Sequence, residues 1–220
     1  MTRSDLELRN VSLTLGHEPL IHRLNHTIGA GEILTLMGPS GSGKSSLLAY
    51  IAGVLPPDIR STGEIRLGGT LLNPLPTAKR NVGILFQDPL LFPHMSVGEN
   101  LAFSLPQGLR GKARQQQVDE ALERADLSGY GNRDPATLSG GQQSRVSLMR
   151  TLLAKPRALL LDEPYSRLDQ ALRQHFRDHI QSLVEDTGLP TVLVTHDPMD
   201  APTSGEMLQM TDLKQGDTEN

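Results

Sequence analysis

At 220 residues the chain is long enough for one well-filled core, with or without a small subdomain, and too short for two full domains. Hydrophobic residues make up 37% and charged residues 21%, and a net charge of −4 argues against an extended nucleic-acid surface, which needs an excess of Lys and Arg. No stretch approaches the roughly 18 apolar residues that span a bilayer, the first ten residues lack the apolar centre of a secretory signal, and zero cysteines exclude disulfides and thiol chemistry. The expectation is a soluble, cytoplasmic α/β protein whose membrane role, if it has one, comes through partners.

In chain order, Leu6–Leu15 alternates apolar and polar residues and predicts an edge strand. Residues 32–37 (EILTLM) predict a buried strand entering a glycine-rich loop at Gly38, and residues 44–53 then predict a helix. Strands are expected at 64–67 and 82–86. Helices are expected over 96–105 and 115–127, the second with Val118, Ala121, Leu122 and Ala125 at helical spacing. A helix over 142–154 precedes a buried strand at 158–161, and a helix over 171–185 precedes a β-branched strand at 191–194. This alternation predicts a mostly parallel sheet with crossover helices. The helical signals between 86 and 140 predict an insert on that sheet, spanning about 88–140. Residues 1–212 are expected to form one domain and 213–220 a disordered tail.

Gly38, Pro39, Ser40, Gly41, Ser42, Gly43, Lys44 and Ser45 match the pattern GxxxxGK[ST] between a strand and a helix. The glycines let successive backbone N–H groups turn inward as a nest, and the following helix adds the positive end of its dipole. Lys44 is expected to reach the β- and γ-phosphates of a nucleotide, and Ser45 to offer its hydroxyl to Mg²⁺. Further along, LLLDE delivers Asp162 and Glu163 at the end of an apolar strand. Adjacent strand residues point to opposite sides, so Asp162 can hold the metal while Glu163 polarises an attacking water. Gln87 and His196 also follow strands, and in a parallel sheet such exits gather on one edge. Each of the two, taken alone, reads as an ordinary turn residue. Ser139, Gly140, Gly141 and Gln142 open a helix with a good N-cap and unobstructed backbone donors. Locally that is a capped helix; two chains facing head-to-tail would let it complete the other's phosphate site.

Together these residues resemble the ATP-binding cassette (ABC) ATPases, over roughly residues 5–210. Gly38–Ser45 resembles the Walker A loop, Gln87 the Q-loop, LSGGQ (138–142) the signature, LLLDEP (159–164) Walker B, SRLD (166–169) the D-loop and His196 the switch histidine. The resemblance implies a P-loop NTPase fold with a mostly parallel core sheet, an antiparallel β edge and a helical subdomain. It implies ATP and Mg²⁺, the metal held through Ser45, Asp162 and Gln87. ATP would lie between Gly38–Ser46 of one copy and Ser139–Gln142 of another, with Glu163 activating water, His196 steadying the γ-phosphate and Asp169 communicating across the interface. The segment 75–105 resembles ATPase subunits of bacterial importers for thiamine, ferric iron and polyamines, with Leu90, Leu91, Phe92 and Met95 suited to docking a permease. Implied partners are permease subunits, a second copy and a solute-binding protein, on the cytoplasmic face of the inner membrane. An exporter ATPase, or a cassette in iron–sulfur assembly, is the alternative.

The departures from the family pattern are specific. Leu15 stands where an aromatic usually stacks on adenine, Ser46 replaces a common Thr, and Arg167 replaces a small D-loop residue. Pro198, Pro202 and Gly205 interrupt a stretch that is usually helical. A C-terminal regulatory domain like that of the longer sugar-importer subunits is expected to be absent, and feedback through such a domain with it.

Overall fold

The computed structural model describes residues 5–166, 168, 170–202 and 205–215. Two sheets organise the chain. An antiparallel sheet is built from β1 (Leu6–Leu15), β2 (Glu18–Ile28), β4 (Ile59–Leu67) and β5 (Thr70–Leu71), in the order β2-β1-β4-β5. A parallel sheet is built from β3 (Ile33–Met37), β6 (Val82–Leu85), β7 (Ala158–Asp162), β8 (Thr191–Thr195) and β9 (Glu206–Gln209), in the order β6-β7-β8-β3-β9. The helices are α1 (Lys44–Ala52), α2 (Thr77–Arg80), α3 (Val97–Phe103), α4 (Gly111–Arg124), α5 (Gly140–Leu153), α6 (Gln170–Thr187) and α7 (Met210–Gln215).

The inner strands β3, β7 and β8 are mostly apolar because both of their faces are covered, whereas the edge strand β9 is partly exposed. Successive side chains on a strand point to opposite faces, and the two cores divide accordingly. Leu34, Leu36, Leu160, Val192 and Val194 join α1 and the antiparallel sheet in one core. Their neighbours Ile33, Leu159, Leu161 and Leu193 join α3, α4, α5 and α6 in the other. The parallel sheet is therefore the shared wall between two cores.

β1 is not the expected edge strand: it pairs with both β2 and β4. Its buried residues Leu6, Leu8, Val11 and Leu13 break strict alternation after Leu8, where the register shifts and Asn10 takes a φ of 51°. The interrupting residues after His196 give a 3-10 turn at Pro198–Asp200, then β9 beside β3. The expected tail is also corrected at its start. Leu213 lies within α7 and is 2% exposed, because its side chain belongs to the first core; residues 216–220 lie outside the described set.

α1 ends at Gly53, whose φ of 81° a side-chain-bearing residue rarely adopts, and whose N–H bonds back to Ala49 at 2.9 Å. The remaining carbonyls at that end accept from Arg80, which donates to Tyr50 O at 2.8 Å and Ile51 O at 2.9 Å. The helix that follows the phosphate loop is thus anchored at its far end by a buried guanidinium.

Within the expected helical insert, α3 starts with a capping box between Ser96 and Glu99. Asn100 is fully buried and ties the preceding segment down, donating to the carbonyls of Phe92, Met95 and Ser96. From α5, Ser147 donates to Pro89 O at 2.8 Å and Arg150 donates to Leu90 O at 2.9 Å. Leu90 and Phe103 remain exposed, whereas Leu91, Phe92 and Met95 are half-buried. Phe92 stacks edge-on against Phe103 at 4.9 Å. No helix among the described residues is long and apolar enough to cross a membrane.

Candidate functional site

The strand order decides which residues meet. β7 lies between β6 and β8, and β8 between β7 and β3, so the loops leaving their C-terminal ends are neighbours. β6 delivers Gln87, β7 delivers Asp162 and Glu163, β8 delivers His196, and β3 runs into Gly38. Two hydrogen bonds extend the ladder beyond the strands: Gly38 N donates to Thr195 O at 3.3 Å, and Glu163 N to Val194 O at 3.0 Å.

The phosphate loop presents backbone. Gly43 is the N-cap of α1 with a φ of 103°, and no side chain caps that helix start. A Cβ there would lie 2.9 Å from the Leu20 Cβ, so any other residue would force the loop away from β2. Ser42 Oγ is buried and has no hydrogen-bond partner. Lys44 is 5% exposed and folds back on its own loop, donating to Gly38 O at 2.7 Å and Pro39 O at 2.9 Å. Burial pushes its ammonium below the ordinary lysine value, opposed by the nearby carboxylates of Glu163 and Asp162. A cradle of free backbone donors, a buried lysine and an unpaired hydroxyl suits a polyphosphate.

Ser45 Oγ donates to Asp162 Oδ1 at 3.0 Å. Burial raises the Asp162 carboxyl above its usual range, against the Ser45 hydrogen bond, which favours the ionised form. Among the described residues no group of three or more His, Asp and Glu gathers to hold a metal alone. A hydroxyl, one carboxylate and the Gln87 amide oxygen are hard donors, and so sparse a set fits Mg²⁺, which takes few protein ligands beside substrate phosphates.

Glu163 leaves the strand. Its φ is 46°, left-handed for a residue with a side chain, and that conformation rather than strand alternation separates it from Asp162. Its carboxylate meets both flanking loops: Gln87 Nε2 donates to Oε2 at 3.3 Å, and His196 Nδ1 lies 3.1 Å from Oε1. Gln87, Glu163 and His196 therefore form one chain of contacts across three strand exits.

A cleft of about 350 Å³ joins these parts. Ser40, Gly41, Gly43, Lys44, Ser45 and Ser46 line it with Gln87, Asp162 and Glu163. Its other end is aliphatic: Leu15, Leu20 and Ile59. Leu20 and Ile59 went unrecognised in the sequence, where β2 carries broken alternation and gives no sign of facing the loop. Ser139–Gln142 do not line the cleft. They are closed by a capping box, with Gln142 N donating to Ser139 Oγ at 3.3 Å and Ser139 N to Gln142 Oε1 at 2.9 Å. Asp169 and Arg167 lie outside the described residues.

A cleft with a phosphate loop and a carboxylate pair on one edge of a parallel sheet defines a P-loop nucleoside triphosphatase. The family model described as ABC transporter matches residues 21–166. The chain is 51% identical over 203 residues to the ABC transporter ATP-binding protein YnjD of Escherichia coli K12, covering 92% of this chain and 94% of that one. It is 43% identical to the spermidine/putrescine import ATP-binding protein PotA of Pseudomonas fluorescens and 40% identical to the Fe(3+) ions import ATP-binding protein FbpC 1 of Haemophilus influenzae. It spans 57% and 64% of their respective lengths. Among solved structures, the ATP-binding cassette MJ0796 in a dimeric post-hydrolysis state with ADP and Pi matches with a TM-score of 0.79 at 30% identity, covering 93% of each chain. The chain belongs to the ABC transporter family, and its activity is ATP binding and hydrolysis.

Proposed function

We propose that this chain is the ATPase subunit of a bacterial ABC importer and works as a head-to-tail pair on the cytoplasmic face of the membrane. The carrying observation is the division of the site. One chain assembles the phosphate loop, Asp162, Glu163 and Gln87 around one cleft, with His196 against Glu163, while its own Ser139–Gln142 do not line it. A second copy turned head-to-tail supplies the missing helix start; the similar cassette MJ0796 is itself described as dimeric.

In this reading the loop amides and Lys44 hold the β- and γ-phosphates, and Lys44 exchanges the Gly38 and Pro39 carbonyls for phosphate oxygens. Mg²⁺, when bound, neutralises phosphate charge and would be held by Ser45, Asp162 and Gln87. Glu163 takes the proton of the attacking water, and His196 and Gln87 fix its carboxylate in place. Ser139, Gly140 and Gly141 of the second copy point donors at the terminal phosphate, and Asp169 communicates across the interface.

Import rests on the relatives, PotA for spermidine and putrescine and FbpC 1 for Fe(3+). The solute and the solute-binding protein are set by other chains of the system. The surface that meets the permease is the segment pinned by Asn100, Ser147 and Arg150, on which Leu90 is exposed. Phe92 holds that segment in shape by packing on Phe103. Phe92→Ala should leave ATP affinity within about twofold while permease co-purification falls roughly tenfold, the loss that follows removal of an aromatic contact. Unchanged co-purification would reject the docking surface.

A further inference from the structure

His196 and Asp197 lie on the short link between the end of β8 and the 3-10 turn Pro198–Asp200. That link is held from α6. Arg173 Nη1 donates to Asp197 Oδ2 at 2.6 Å and lies 3.6 Å from Asp200 Oδ1. Thr195 Oγ1 donates to Asp200 Oδ2 at 2.8 Å and accepts from Asp197 N at 3.1 Å. Asp197 Oδ1 in turn accepts from Met199 N at 2.9 Å. One arginine therefore grips the carboxylates on both sides of a turn whose first residues carry His196.

The network is not saturated. Asp200 Oδ1 and Arg173 Nε are both buried and neither has a hydrogen-bond partner. Arg177, one helical turn further on, donates to the Met199 carbonyl and holds the far end of the same turn.

We propose that Arg173 is a positioning residue: through Asp197 and Asp200 it fixes the backbone around His196, and so sets the 3.1 Å approach of His196 Nδ1 to Glu163 Oε1. The orientation of His196 then depends on how α6 sits against the parallel sheet, not on β8 alone. The inference rests on the role given to His196 above.

The test compares Arg173→Ala, Arg173→Lys and His196→Ala in ATP turnover and ATP affinity, with the His196 ring signals followed by NMR. Arg173→Ala should lower kcat about tenfold with ATP affinity within about twofold, since small misplacement of a reacting group costs rate before binding. It should also shift the His196 ring signals, and Arg173→Lys should recover most of the lost turnover. Turnover within about twofold of the parent, unmoved ring signals, or equal losses of rate and affinity that lysine does not repair would each overturn the proposal. Should Arg173→Ala not fold, Arg173→Gln, which keeps the stem and a donor, is held to the same limits. Full turnover in His196→Ala overturns the role of His196 and the inference with it. An inactive His196→Ala beside a fully active Arg173→Ala overturns the inference alone.

Discussion

Two helix starts in this chain carry glycines and are proposed to meet phosphate, yet they are built in opposite ways. α1 begins at a left-handed Gly43 with no side-chain cap, and the buried Lys44 turns back over the loop. α5 begins at Ser139, whose hydroxyl and the Gln142 amide close a complete capping box. The first start spends local stability to leave backbone donors open; the second is satisfied on its own and gives up little while it waits. Such an arrangement suits a permanent site in the first case and an occasional one in the second.

The largest test of that contrast is Glu163→Gln. It keeps the shape of the cleft but removes the proton acceptor, so turnover should fall by about 10²–10⁴-fold. ATP should still bind, and the two helix starts should then remain joined across one nucleotide, read as a stable dimer by light scattering. Turnover at the parent rate would remove Glu163 from the chemistry.

Ser139→Ala separates capping from anion binding. Loss of an N-cap costs about 1 kcal/mol of stability. If the hydroxyl also meets phosphate, ATP turnover should drop by about tenfold or more, beyond what that cost explains at a temperature where the protein stays folded. A shift in thermal midpoint with unchanged turnover would make α5 merely a capped helix.

Acid tests the metal end of α1. The Asp162 carboxyl is raised by burial, so it protonates as pH falls sooner than an ordinary aspartate, and a protonated carboxyl is a poor metal ligand. The Mg²⁺ concentration for half-maximal ATPase should therefore rise on acidification from a higher pH than is usual for an aspartate ligand. A flat Mg²⁺ requirement down to the ordinary aspartate range would contradict this.

The smallest effect is expected at the base end. Leu15 is 41% exposed and, with Leu20 and Ile59, offers no ring to a purine. GTP should compete with ATP within a few-fold, and Leu15→Tyr should tighten nucleotide binding by up to about tenfold, at the low end of base–aromatic stacking. Strict preference for ATP in the parent protein would show that discrimination comes from elsewhere.

The parts that were legible in the sequence are those with local causes. The apolar runs before Gly38 and Asp162 mark strands buried on both faces, and the glycine spacing marks the loop that follows. Ser139 and Ser96 announce helix starts because capping is decided within four residues. What escaped depends on distant partners. Nothing in Leu6–Leu15 says that β4 will pair along its second side, and Glu18–Ile28, whose pairing with β1 shifts register three times, hides a strand. The left-handed turn at Glu163 is imposed by neighbouring loops and leaves no mark in residue type. Arg173 reads in sequence as one more charge on a solvated helix, and only its meeting with Asp197 and Asp200 distinguishes it.

α5 has one consequence as a mechanical part. Its 14 residues make a rod about 21 Å long. Ser139–Gln142 stand at one end, and Ser147 at its middle and Arg150 in its last turn hold the carbonyls of Pro89 and Leu90. A stiff rod cannot tilt at one end without moving the other, so α5 works as a rocker arm. In the proposed head-to-tail pair, nucleotide engaged at its start would reach Leu90 as a stroke, and a load at Leu90 would be felt in turn at the nucleotide.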